Sequence, residues 1–319
     1  MTTYAADLAD IKEAAHRIDG QVHRTPVLTC STLDGLSDRQ LFFKCENLQK
    51  IGAFKMRGAL NAVLSLSEED AARGVVTHSS GNFAQAVALS AKMRGVPAHI
   101  VMPVTAPEVK RQAVAGYGAR IIPCPPTLEA RETTTRDVMA ETGATFLHPY
   151  DQPEVIAGQG TTALELMEQV ADLDAVVIPL GGGGLISGMA LALRELAPGV
   201  RIIAAEPAGA DDAARSKRLG KLIPQTGPNT VADGLLTSLG EWTWPVVRDV
   251  VERVVVVEDE EIIAAMRLIW ERMKLVVEPS AAVGLAAVLS EEGRSLDGLE
   301  RIAIVLSGGN VDLARLPWA

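Results

Sequence analysis

Positive charge is scarce in this chain of 319 residues: 30 Lys+Arg stand against 40 Asp+Glu, a formal net charge of -10. That balance argues against a protein that tracks nucleic-acid phosphates, which needs a basic face. Cysteine is scarcer, with Cys30, Cys45 and Cys124 far apart. They offer no disulfide framework and no CxxC metal or redox motif, and read as reduced cytosolic thiols. No apolar run approaches the length needed to span a bilayer. The opening MTTYAADLADIKEAAHRIDG lacks the basic start and apolar core of a signal peptide. Low-complexity segments and fixed-period repeats are missing too. What is left is the expectation of a cytoplasmic enzyme with a small-molecule substrate and neither a nucleic-acid nor a membrane partner.

What is abundant is apolar and glycine residues, 48% and 28 respectively, on a length that suits two domains or one large α/β unit. Short apolar runs recur between longer helical stretches. The strand candidates are Leu41–Cys45, Val75–His78, His99–Met102, Arg120–Pro123, Thr145–Leu147, Ala175–Pro179, Arg201–Ala205, Val254–Val257 and Ile302–Leu306. AVVIP and IAIVL are unbroken, as in strands covered on both faces. Helix signals lie between them: Leu8, Ile11, Ala15 and Ile18 on one face with Gly20 behind, Asn82–Arg94 ending at Gly95, and Thr105 with Pro107 opening a helix that finishes near Gly118. This alternation predicts a doubly wound parallel α/β architecture, with ligands beyond the carboxyl ends of the strands.

The loops at those ends carry the chemistry. Gly181-Gly182-Gly183-Gly184 follows Ala175–Pro179 and opens the helix Leu185–Leu196. Four residues without Cβ let backbone N–H groups converge on an anion, and the helix start adds partial positive charge. A dinucleotide is the first rival, since Glu206 lies ~20 residues on, where a ribose-binding acid is expected. The G-x-G-x-x-G spacing fails, because Ile186 or Ser187 takes the last glycine's place. A phosphate monoester is favoured over NAD.

Lys55 lies between Phe54 and Met56; apolar surroundings lower an ammonium pKa and free a nucleophilic amine for Schiff-base chemistry, although taken alone the residue reads rather as a snorkelling surface lysine. Ser79-Ser80-Gly81-Asn82 follows Val75–His78; by itself it reads as a helix N-cap made by Ser80 or Asn82, and it could equally hold a carboxylate. Ser307-Gly308-Gly309-Asn310 follows Ile302–Leu306. A phosphate site, a lysine and hydroxyl donors converging on one crevice are the parts that hold pyridoxal phosphate.

In that order, AFKMRGA, SSGNFAQA, GGGGLISG and SGGNVD resemble the signatures of fold-type II pyridoxal-phosphate enzymes, those with the fold of the tryptophan synthase β chain. The likeness to the serine racemase and serine/threonine dehydratase branch runs from HRTPVL through HPYDQPEVIAGQGT, AAEPAGADDAARS, ADGL and WERMKLVVEPSAAVG. It implies two doubly wound parallel-sheet domains with the active site between them, residues 1–70 and 152–319 forming a large cofactor-binding domain and 71–151 a small mobile one. A homodimer is also implied.

For the site, the resemblance implies that Lys55 joins the cofactor as an imine and works on one face, with Ser80 as acid–base group on the other. Gly181, Gly182, Gly183 and Gly184 would hold the phosphate, Asn82 the ring hydroxyl and Ser307 the ring nitrogen, with Phe54 on the ring and Glu278 nearby. Ser79, Ser80, Asn82, Phe83, Gln85, Arg131, Tyr150 and Ser238 would line the substrate pocket. Glu206, the Ala210 carbonyl and Asp212 would hold a divalent cation, Mg2+ with Ca2+ or Mn2+ as alternatives, a hard-oxygen set that suits such ions. The implied activity is dehydration of L-serine, L-threonine or 3-hydroxyaspartate to a keto acid and ammonia, L/D-serine interconversion, or both.

Two positions depart from the branch. Histidine usually follows Ser-Ser-Gly-Asn, and Phe83 stands there; asparagine is usual among the racemases where Tyr150 stands. Both changes predict a pocket shaped for a substrate other than plain serine, or biased to elimination. The alternatives are a cysteine-synthase-like β-replacement enzyme, whose threonine-rich phosphate loop and TSGNTG-like substrate loop are missing, and a nucleotide-dependent oxidoreductase.

Overall fold

The apolar runs become two separate sheets in the computed structural model, which describes residues 4–106 and 108–318. The strands are β1 (Val27–Leu28), β2 (Gln40–Lys44), β3 (Val75–His78), β4 (Ala98–Pro103), β5 (Arg120–Cys124), β6 (Thr145–Phe146), β7 (Ala175–Pro179), β8 (Arg201–Pro207), β9 (Arg253–Val257) and β10 (Arg301–Val305). Six form one sheet in the order β1-β2-β10-β7-β8-β9, and four form the other in the order β5-β4-β3-β6. Every pairing is parallel except β1 with β2. β1 is the strand that periodicity missed: two residues after Pro26 give no alternation to read, and only pairing with Lys44 and Phe43 makes them a strand.

All of β7 and all but the first residue of β10 are buried, in line with helices covering both sheet faces. The helices Leu8–Ile18 and Asn82–Arg94 lie where the sequence puts them. Pro107, expected to open the next helix, lies outside the described residues, and that helix runs over Glu108–Gly116.

Two features of this fold position the site. β10, the last strand in the chain, inserts between β2 and β7. The residues after it therefore lie against those after β2: Phe54 N–H donates to the Ser307 carbonyl at 3.0 Å and Gly309 N–H to Gly52 at 2.9 Å. Secondly, the helices Lys55–Ser65, Pro153–Gln169 and Gly184–Leu196 cross at glycines. A Cβ on Gly158 would stand 2.6 Å from the Gly58 Cα, and one on Gly160 2.8 Å from the Gly188 carbonyl oxygen. Gly58, Gly158 and Gly160 thus serve close helix packing. That contact fixes the helix bearing Lys55 relative to the helix behind the tetraglycine turn.

Candidate active site

Lys55 is the first residue of the helix Lys55–Ser65. The chain enters it through Ile51 and Gly52, both left-handed at φ 59 and 73. The Lys55 amine donates to the Pro149 carbonyl at 2.6 Å. It lies 5.1 Å from the Phe54 ring centroid, 5.6 Å from that of Phe83 and 6.0 Å from that of Tyr150. Burial lowers its pKa to about 8, against an opposing pull from the Glu278 charge.

The Ser79–Asn82 turn joins β3 to the helix Asn82–Arg94, and its capping corrects the sequence reading. Gly81 is the N-cap and no side chain caps the helix. Asn82 is drawn elsewhere: its Nδ2 donates to both Glu278 carboxylate oxygens at 2.9 and 3.2 Å, and its Oδ1 accepts from Asn310 Nδ2 at 2.8 Å. Asn310 also donates to the Ile51 carbonyl. Ser79 Oγ accepts from Gly81 N–H at 3.4 Å, Ser80 is half-buried on the turn, and Phe83 and Gln85 are buried just behind it. Burial pushes the Glu278 carboxyl up to about 7, with Asp233 adding to the rise and the Asn82 hydrogen bond opposing it.

The Gly181–Gly184 turn leads into Gly184–Leu196 with Gly183 as N-cap at φ 90. The turn is tightly packed: a Cβ on Gly182 would fall 2.5 Å from the Tyr150 ring, one on Gly184 2.9 Å from Tyr150 Cβ, and one on Gly183 2.7 Å from Thr243 Cβ. Glycine is required there whether or not a ligand is bound, and the arrangement leaves a backbone turn at a helix N-terminus that suits a phosphate. Ser307 follows β10 and is 4% exposed. Amine, polar chain and glycine turn together fit pyridoxal phosphate.

Lys55, Phe54, Phe83, Tyr150 and the glycine turn are thus one cluster, joined through Phe54 to Ser307 and, across the Lys55–Glu278 charge interaction, to Asn82. Two further pocket candidates have these neighbours. Arg131, on the helix Leu128–Thr142, lies near His78 and Cys124 with its buried Nε unpartnered. Ser238 Oγ accepts from Gln225 N–H at 2.8 Å. Pro149, Asp151, Thr243 and Asn310 escaped individual notice in the sequence. Their partners are far away in the chain, so no local spacing marks them.

Glu206 is the buried penultimate residue of β8, Ala210 closes the short helix Ala208–Ala210, and Asp212 starts the helix Asp212–Leu219. Glu206 accepts from Ala213 and Ala214 N–H, both at 2.9 Å, and Asp212 from Leu239 N–H at 3.0 Å. Burial pushes Glu206 up to about 8 and Asp212 to about 6. Arg215 pairs with Asp211 instead. Two buried carboxylates without a cationic side chain are a donor set that fits a hard cation. Among the described residues, no group of three or more His, Cys, Asp or Glu is placed to hold a metal ion, and the set here offers two carboxylates and a carbonyl.

A helix-start amine among aromatic rings, with a glycine turn suited to a phosphate, on two α/β sheets defines a class of enzyme built around an aldehyde cofactor. The family model for pyridoxal-phosphate dependent enzymes matches residues 18–308, and the chain belongs to that family. It is 57% identical to a serine racemase of Arabidopsis thaliana, over 98% of this chain and 96% of the relative. It is 50% identical to a beta-hydroxyaspartate dehydratase of Paracoccus denitrificans, over 99% of each. The structure of maize serine racemase superposes with a TM-score of 0.97 at 52% identity, covering 98% of this chain and 95% of that one.

Proposed function

We propose that this chain acts on small β-hydroxy amino acids, converting L-serine, L-threonine or 3-hydroxyaspartate to a keto acid and ammonia and interconverting L- and D-serine. The Lys55 amine carries this reading: it is held by Pro149 and enclosed by Phe54, Phe83 and Tyr150. Relatives named serine racemase and beta-hydroxyaspartate dehydratase, at half identity or more, support it. Pyridoxal phosphate, when bound, withdraws electrons from the amino acid and makes its Cα proton acidic. Lys55 would hold the cofactor's aldehyde carbon, Gly181–Gly184 its phosphate, Asn82 its ring hydroxyl and Ser307 its ring nitrogen, with Phe54 packed on the ring.

Lys55 takes the Cα proton on one face as general base. Ser80, on the opposite loop, gives or takes a proton on the other face, which inverts the configuration. Where the β-hydroxyl leaves instead, water later releases ammonia and the keto acid. Ser79, Asn82, Phe83, Gln85, Arg131, Tyr150 and Ser238 shape the substrate pocket.

The same reading places Mg2+, with Ca2+ or Mn2+ as alternatives, at Glu206, the Ala210 carbonyl and Asp212. It takes residues 71–151 as a unit that moves against 1–70 and 152–319; the Lys110–Asp233 ion pair at 2.8 Å links the two. It also includes a homodimer, and a cytoplasmic location in keeping with three unpaired cysteines. Incubation with L-serine, D-serine, L-threonine and 3-hydroxyaspartate, reading keto acid and enantiomer, tests the activity. Ser80→Ala should lose racemisation and use of D-serine while keeping some L-substrate dehydration. Unchanged racemisation in that variant removes Ser80 from its role.

A further inference from the structure

The tetraglycine turn is held from outside by a residue far along the chain. Thr243, fully buried, donates its hydroxyl proton to the Gly182 carbonyl at 2.8 Å and accepts from Gly240 N–H at 2.8 Å. A trans peptide is planar, so its C=O and N–H point in opposite directions. A hydroxyl that captures the Gly182 carbonyl therefore turns the Gly183 N–H away from Thr243. Between two glycines, with Gly183 at φ 90, side-chain sterics alone give this peptide little reason to keep one orientation.

Thr243 is itself tied down. The Asp151 carboxylate accepts from the N–H groups of Glu241, Trp242 and Thr243 at 2.9, 2.8 and 3.1 Å. Gly240 must be glycine, because a Cβ there would run into that carboxylate. Asp151 sits one residue after Tyr150, whose ring covers Gly182, and two after Pro149, whose carbonyl receives Lys55. One brace thus runs from the loop that holds the lysine, through Asp151 and Thr243, to the Gly182–Gly183 peptide.

We propose that Thr243 and Asp151 are positioning residues that keep the Gly183 N–H directed at the cofactor's phosphate and lock that setting to the loop carrying Pro149 and Tyr150. This rests on the glycine turn being the phosphate seat. The test is to titrate the cofactor-free protein with pyridoxal phosphate and with pyridoxal, which lacks the phosphate, following absorbance. Thr243→Val should weaken pyridoxal phosphate binding roughly tenfold, the worth of one hydrogen bond, and pyridoxal binding by less than about twofold. Thr243→Ser, which keeps the hydroxyl, should stay near the wild type. Asp151→Ala should show the same phosphate-selective loss, and the double variant less than the product of the two.

Equal losses for both aldehydes, or no loss, would overturn the brace. Should Thr243→Val fail to fold, Asp151→Asn carries the same comparison. A wild type that does not prefer the phosphorylated aldehyde would remove the phosphate seat itself. Variants that match a discriminating wild type would remove the brace alone.

Discussion

The Lys55 amine donates a 2.6 Å hydrogen bond to the carbonyl oxygen of Pro149, 94 residues away in the chain. This bond holds the half-buried amine beside the aromatic rings, and only a neutral amine can attack an aldehyde. With its pKa lowered to about 8 from the ordinary 10.5, Lys55 should capture pyridoxal phosphate at a rate that climbs through about pH 8 and then levels off. Stopped-flow absorbance of the cofactor-free protein checks this, with borohydride trapping to show that the label sits on Lys55. Stability follows the same linkage. The folded state binds this proton less tightly than the unfolded chain, so the amine opposes folding fully below about pH 8 and progressively less toward 10.5. Lys55→Met should therefore raise the melting temperature of the cofactor-free protein more at pH 7 than at pH 10.

Phe83 stands 5.6 Å from the same amine, buried, with Tyr150 on another side. Phe83→His puts a titratable donor beside the substrate and admits water to the lysine. The ratio of kcat/KM for serine to that for threonine should rise, by about tenfold if one hydrogen bond to the substrate is gained. An unchanged ratio would show that Phe83 does not set substrate preference.

Glu206 and Asp212 are buried, and among the described residues no cationic side chain forms an ion pair with either; Arg215 pairs with Asp211. Chelator treatment should lower the melting temperature, and Mg2+ should restore it in a concentration-dependent way, as expected for a ligand that binds only the folded state. Glu206→Gln should melt at a temperature that Mg2+ does not change. Differential scanning calorimetry with and without Mg2+ reads both.

Arg57, two residues beyond Lys55, is 1% exposed; its Nε donates to Glu46 at 2.8 Å and its Nη1 to Glu165 at 2.7 Å. Lys44 Nζ also reaches Glu165, at 2.6 Å, and Thr25 Oγ1 donates to Glu46. Arg57→Met would leave Glu46 buried without its partner and should destabilise the fold by about 3–5 kcal/mol. Adding Glu46→Gln should recover part of that loss. Urea denaturation of the single and double variants gives the coupling.

Much of this molecule is legible in one dimension because its determinants are local. Ala175–Pro179 and Ile302–Leu306 show a strand covered on both faces within five residues. Asn82–Arg94 with Gly95 shows a helix and its end, and four glycines at a strand end announce a backbone turn. The resemblance to a known family then carries roles to residues that spacing alone cannot rank, such as Ser80 and Glu206. Strand ordering is not local. Nothing in RIAIV says that the last strand inserts between β2 and β7, yet that insertion brings Ser307 to Phe54.

The capping of Asn82–Arg94 shows the same division. By local propensity Ser80 or Asn82 caps this helix, but Asn82 instead joins Glu278, 196 residues away. A buried carboxylate lacking partners outweighs an N-cap bond that solvent can replace. The sequence by itself determined most element types, the glycine turn, the lysine and the family. Only the tertiary structure decided which side chains share the dry space around Lys55, and that Asp151 and Thr243 stand behind the glycine turn. Hydrogen bonds and desolvation depend on distance in space, and the partners here lie 61, 94 and 196 residues apart along the chain.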